Sequence, residues 1–119
     1  MLVPSPVILW VEGDLLKHRL LRCELRRRGA RLSILRSVEE TLTQAGRIQS
    51  DLVVLDQGLF GDRLTGSIQG LRRQGHEGRT LVLTSSTGRL SLPEGTDAVP
   101  AGGSSLSNER LLRTILHYL

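Results

Sequence analysis

The chain has 119 residues, a formal net charge of +4 and a single cysteine, Cys23. That length suits one domain, 1–119, with a single core, and is too short for two. A lone cysteine excludes an internal disulfide and suits a reducing compartment, so the cytoplasm is the expected location. Aromatic residues make up 3% of the chain, so the core should be aliphatic. No apolar run is long enough to span a membrane. The apolar start carries no basic leader and is interrupted by Glu12 and Asp14, so it reads as a strand and not as a signal peptide.

Apolar runs alternate with helical patterns. Val7 to Val11 forms a first strand that ends in Glu12-Gly13-Asp14. Asp14 can cap a helix running to about Arg28, with Leu16, Leu20 and Cys23 on its apolar face and Gly29 ending it. Much of the positive charge lies on this helix and just beyond, at Arg19, Arg22, Arg26, Arg27, Arg28 and Arg31. A basic run can mark a phosphate-binding surface. Here the cations complement the helix macrodipole and solvate the outer face, and no aromatics are interleaved to stack on bases, which speaks against nucleic acid. Arg31 to Leu35 is a short second strand. Ser37 then caps a second helix, with Glu40 at capping-box spacing and Val38, Leu42 and Ala45 on one face, ending near Gln49.

The third strand, Asp51 to Asp56, is apolar between its terminal acids. A loop from Gln57 to Asp62 leads to a third helix through Leu64, Ile68 and Leu71, ending around Gly75. Thr80 to Thr84 is the fourth strand. Between Ser85 and Gly95 turn residues dominate and leave room for a helical turn or two. A fifth strand around Asp97 to Val99 and the loop Pro100 to Ser105 precede a last helix capped by Ser107, with Leu111, Leu112, Ile115 and Leu119. Strands alternating with helices predict an α/β fold: a doubly wound parallel sheet with right-handed crossovers. Residues just past the carboxyl ends of such strands line the ligand crevice. Two strands ending in acid, Glu12 and Asp56, therefore suggest an anionic pocket suited to a hard cation and phosphoryl chemistry.

With its motifs in this order, the chain resembles the receiver domains of bacterial two-component response regulators, the CheY-like superfamily. The resemblance rests on Ile8 to Asp14, Asp51 to Asp56, Leu81 to Ser85 and Gly95-Thr96-Asp97. It implies a five-stranded flavodoxin-like (βα)5 fold with strand order 2-1-3-4-5. It also implies a phosphoacceptor at Asp56, a phosphoryl-sensing hydroxyl at Thr84, and a Mg²⁺ site built from Glu12, Asp56, the carbonyl of Gly58 and Asp14. Several features depart from the family. Gly13 replaces the second metal-binding acid, Gly102 stands where the family has a lysine, Gly103 replaces a proline, and Val99 replaces the aromatic switch residue. The family's frequent proline and glycine after the phosphoacceptor become Phe60 and Leu64. The segment between Thr84 and Gly102 is about one helical turn short, so helix four should be shortened or absent.

The resemblance thus implies a degenerate, or pseudo-, receiver. Mg²⁺ should bind weakly if at all, and the chain should act by binding a signalling or output protein, with impaired or phosphorylation-independent switching. It should not be an enzyme. The alternative is a working phosphorelay receiver phosphorylated on Asp56 by a histidine kinase. Val11-Glu12-Gly13 is also similar to the glutamate motif of toprim domains, Mg²⁺-dependent nucleic-acid enzymes, but Gly58 stands where their second metal-binding acid would be.

Simpler roles stand beside these. Asp56 can cap the turn after it, and Thr84 can satisfy backbone groups at a strand end. His18, His76 and His117 share no ligand spacing. Cys23 reads as a small core residue, and Trp10, Phe60 and Tyr118 as packing residues. Gly102-Gly103-Ser104-Ser105 reads as a flexible connection without a nucleotide-loop signature.

Overall fold

The structure, a computed structural model, describes residues 5–76, 78–84, 92–100 and 105–119, including every side chain among them except those of 105–107. Five strands form one sheet: β1 (Val7–Val11), β2 (Arg31–Leu35), β3 (Leu52–Asp56), β4 (Arg79–Thr84) and β5 (Thr96–Pro100). All neighbours pair in parallel, in the order β2-β1-β3-β4-β5. This is the predicted doubly wound topology. The helices are α1 (Arg19–Arg27), α2 (Val38–Gln44), the short α3 (Gln57–Phe60), α4 (Leu64–Arg73) and α5 (Ser105–Tyr118). The shortened fourth helix expected between β4 and β5 falls on residues 85–91, outside the described residues, and so do Gly102 and Gly103. No helix among the described residues is long and apolar enough to cross a membrane.

Alternation along the strands sends neighbouring side chains to opposite faces of the sheet and builds two cores. Ile8, Trp10, Leu52, Val54, Leu81 and Leu83 meet Leu21 and Leu25 of α1 and Leu111 and Ile115 of α5. Leu9, Val11, Val53, Leu55 and Val82 meet Val38 of α2, Phe60 of α3 and Leu64, Ile68 and Leu71 of α4. Both faces of the central strands are covered, which explains why those strands read as continuous apolar runs.

The helices depart from expectation at their ends and in one rotational phase. α1 starts at Arg19 instead of Asp14 because the Asp14 carboxylate accepts the Leu16 amide at 3.1 Å, holding an Asx turn in place of a helical one. Leu16 and Leu20, expected on the core face, are each 78% exposed, and Cys23 is exposed as well. The buried positions of α1 are Leu21, Arg22 and Leu25. The expected solvated arginine face therefore loses Arg22, while Arg19, Arg26, Arg27, Arg28 and Arg31 remain exposed. α2 is capped as predicted, with the Ser37 hydroxyl accepting the Glu40 amide at 3.0 Å, but it gives way to a 3-10 turn (Ala45–Arg47). Thr41 takes the buried place expected of Leu42. The expected loop Gln57 to Asp62 is helical in part, forming α3 and a 3-10 turn over Gly61–Arg63. α5 begins two residues before the predicted cap, placing Ser107 inside the helix.

Candidate functional site

The strand order reverses between β1 and β3, so the carboxyl ends of these two strands flank the crevice of a doubly wound sheet. Val11 pairs in register with Leu55, and Glu12 and Asp56 each come one residue later. Neighbouring in sequence register, the two acids have separate environments.

Glu12 shares a face of β1 with Ile8 and Trp10, the face that packs on α1. Its side chain is fully buried. One carboxylate oxygen accepts the Trp10 indole N–H at 3.1 Å and the Arg22 guanidinium at 2.9 Å; the other accepts the Nδ1–H of His18. His18 and Arg22 are themselves 1% and 5% exposed. Arg22 also donates through Nη2 to the Leu15 carbonyl, and its guanidinium carbon lies 5.9 Å from the centroid of the Trp10 ring. Trp10 and His18 meet edge to face, with ring centroids 6.2 Å apart. A carboxylate can only accept, so Nδ1 of His18 is the donor, and Nε2 is buried without a partner among the described residues. Moving a carboxylate and a guanidinium out of water costs several kcal/mol per ion, so the pair persists because each Glu12 oxygen has a donor.

Asp56 is half-buried, and its carboxylate accepts the Gly58 amide at 3.1 Å, capping α3. The simpler role proposed for it is thus realised. The cap turns the Gly58 amide toward Asp56. On the adjoining strand the Thr84 hydroxyl donates to the side-chain oxygen of Gln57, the residue after Asp56. Asp14 is exposed and engaged with the Leu16 amide.

The expected convergence of Glu12, Asp14 and Asp56 on one cation does not form. Among the described residues no three His, Cys, Asp or Glu side chains are grouped to hold a metal ion. Glu12, needed at the centre of such a site, has both oxygens occupied by the chain's own donors. With Glu12 so engaged, the residues present fit a tight Mg²⁺ site poorly. Sequence reasoning missed His18 and Arg22, which it read as an isolated histidine and a solvated cation. The strand alternation Ile8–Trp10–Glu12 was the available signal, because it aims the acid at α1 and away from the crevice.

Elsewhere the charges lie at the surface. Glu24 sits between Arg27 at 2.8 Å and Arg28 at 3.0 Å. Its hydrogen bond to Arg27 is the leading cause that holds its carboxyl below the usual range. Tyr118 donates its hydroxyl to Asp97, and this bond raises the phenol above its ordinary value. His76 is tied to the Ser50 hydroxyl at 3.2 Å and the Ala45 carbonyl at 2.6 Å. Leu20, left outside on α1, lines a groove of about 250 Å³ between α1 and α5, together with Leu21, Glu24, Asn108, Glu109 and Leu112.

No family profile and no curated protein matches the sequence. Solved structures do match, and many of them are response-regulator receiver domains. TrrA of Thermotoga maritima, solved in complex with Mg²⁺ and BeF, is 22% identical with a TM-score of 0.76, covering 97% of this chain and 100% of its own. CheY4 of Vibrio cholerae, a chemotaxis response regulator, is 17% identical with a TM-score of 0.75, covering 97% and 99%. A receiver domain protein of Bacillus halodurans is 15% identical with a TM-score of 0.75, covering 97% of each chain.

Proposed function

We propose that this chain, which has the fold of response-regulator receiver domains along nearly its whole length, is a receiver-like signalling module that acts by binding another protein, not as an enzyme, with an output that does not depend on phosphorylation. The observation that carries this reading is the capture of Glu12 by Trp10, His18 and Arg22. Phosphoryl transfer to a carboxylate crowds negative charge, which must be offset in the transition state. At Glu12 the available positive charge is already committed inside the fold.

The partner surface is the outer side of α1 and the turn that leads into it. There Leu16 and Leu20 stand exposed beside Lys17, Arg19 and Arg26, next to the groove against α5. An apolar stripe within a basic rim suits an acidic amphipathic segment: the leucines supply buried area, and charge complementarity steers encounter and orientation.

A second reading is a working phosphorelay receiver that accepts phosphate from a histidine kinase at Asp56. It is favoured by the half-exposed carboxylate of Asp56 at the end of β3, with Thr84 at the end of the adjoining strand. One experiment separates the two. The protein is incubated with a small phosphodonor, with and without Mg²⁺, and its intact mass is measured; Asp56→Asn is tested in parallel for partner capture. We expect little retained phosphate and undiminished capture by Asp56→Asn. Capture that appears only after phosphorylation would establish the second reading.

A further inference from the structure

A fully buried carboxylate requires a counter-charge, and here the chain supplies its own. Arg22 joins three parts of the molecule. It donates to Glu12 at the end of β1 at 2.9 Å, it donates to the Leu15 carbonyl in the turn before α1, and it lies over the Trp10 ring. We propose that Arg22 is a built-in counter-cation. It supplies the positive charge that the Glu12 carboxylate would otherwise need from a divalent ion, closes that acid to Mg²⁺, and holds the turn into α1 in one arrangement at any cation concentration.

The chemistry favours the tethered cation. A hydrated Mg²⁺ ion prefers near-octahedral oxygen ligands and gives up water reluctantly. To reach Glu12 it would have to shed water and enter a fully buried site where Arg22, Trp10 and His18 already donate to the two carboxylate oxygens. The guanidinium presents several donors in a rigid plane and is more weakly hydrated than an ammonium, so it enters a buried site at lower cost. Being covalently attached, it is present at a high effective concentration. The same contacts explain the phase of α1. With His18 and Arg22 turned inward to meet Glu12, Leu16 and Leu20 are left outside. The buried ion cluster thereby sets which side chains the helix offers to a partner.

The inference rests on the receiver-like reading, and its test has a different readout. Trp10 is the only tryptophan, and it is bonded to Glu12 itself, so its fluorescence reports this site directly. The full chain is titrated with millimolar MgCl₂ while Trp10 emission and Tm are monitored. Neither should change. Arg22→Met should lower Tm by about 10 °C or more, because it leaves the Glu12 charge buried and unpaired. Adding Glu12→Gln to Arg22→Met should recover much of that loss.

A Mg²⁺-dependent change in Trp10 emission or Tm that disappears in Glu12→Gln would overturn the proposal. So would an Arg22→Met protein that melts with the wild type. If Arg22→Met does not fold, the double variant decides: a folded double supports the pairing, and an equally unfolded one overturns it. A Mg²⁺ response together with phosphate-independent partner capture would refute the role of Arg22 and leave the binding function standing. Phosphate-dependent capture with a Mg²⁺-blind Trp10 would do the reverse.

Discussion

The ends of β1 and β3 look alike in sequence, each an apolar strand finishing in an acid, yet they hold their acids in different ways. At the end of β1, Glu12 is fully buried and takes donors from Trp10, His18 and Arg22. At the end of β3, Asp56 is half-buried and takes one backbone amide, that of Gly58. The difference lies in the segment after each strand. After β1 the chain returns through a helix with a histidine at its N-cap and an arginine on the side that faces the sheet. After β3 it turns at once into α3, which offers a backbone amide and no cation. An acid at a strand end thus becomes structural or available according to the charge carried by the next helix.

The contrast should appear first in stability. Glu12→Ala leaves Arg22 buried without its carboxylate and should cost about 3–5 kcal/mol in urea unfolding. Asp56→Ala removes a cap from a short helix and should cost about 1 kcal/mol. Equal losses at the two positions would remove the distinction between the two strand ends.

A second pair of variants sharpens the account of α1. Leu21 is 4% exposed and its neighbour Leu20 is 78% exposed. Leu21→Ala should therefore destabilise by about 2–5 kcal/mol and Leu20→Ala by no more than about 0.5 kcal/mol. The reverse ranking in a urea series would restore the helix phase read from sequence and bury the proposed partner stripe.

That phase marks the limit of what the sequence made legible. The five strands and the parallel doubly wound class came from alternating apolar and helical patterns, and the order 2-1-3-4-5 from the family resemblance; both agree with the structure. The Ser37 cap was readable because its chemistry is local. In α1 two stripes compete: Leu16, Leu20 and Cys23 on one side, and Leu21 and Leu25 with Arg22 on the other. Hydrophobic periodicity counts leucines and scores an arginine as outward-facing, so it selected the first stripe. What decided between them was a partner ten residues back, Glu12, whose burial costs too much without Arg22. At the candidate site the positions of Asp56 and Thr84 on adjoining strands were legible, but a geometric test of the metal ligands needed the side-chain directions.

A smaller effect distinguishes the far end of the sheet, which is held by surface contacts. The bond from Tyr118 to Asp97 raises the phenol above its ordinary value. A raised acid favours the folded state while protonated. Its contribution is therefore complete below the unfolded tyrosine value, near pH 10, and is lost as pH rises toward the folded value. Tyr118→Phe should flatten this alkaline loss and cost about 1 kcal/mol or less at neutral pH. The Glu12 cluster beside β1 should be untouched by that substitution.

The central claim, that the Glu12 carboxylate is turned inward and held by the chain's own donors, is tested most directly at its one aromatic donor. With a single tryptophan in the chain, the indole N–H gives one unambiguous ¹H–¹⁵N resonance, and its rate of exchange with D₂O can be measured alone. The bond to Glu12 predicts an indole proton strongly protected from exchange, with a resonance that shifts in Glu12→Gln and stays in place when Mg²⁺ is added. An indole proton that exchanges as fast as free tryptophan, or a resonance that moves with Mg²⁺ and ignores the loss of Glu12, would contradict it.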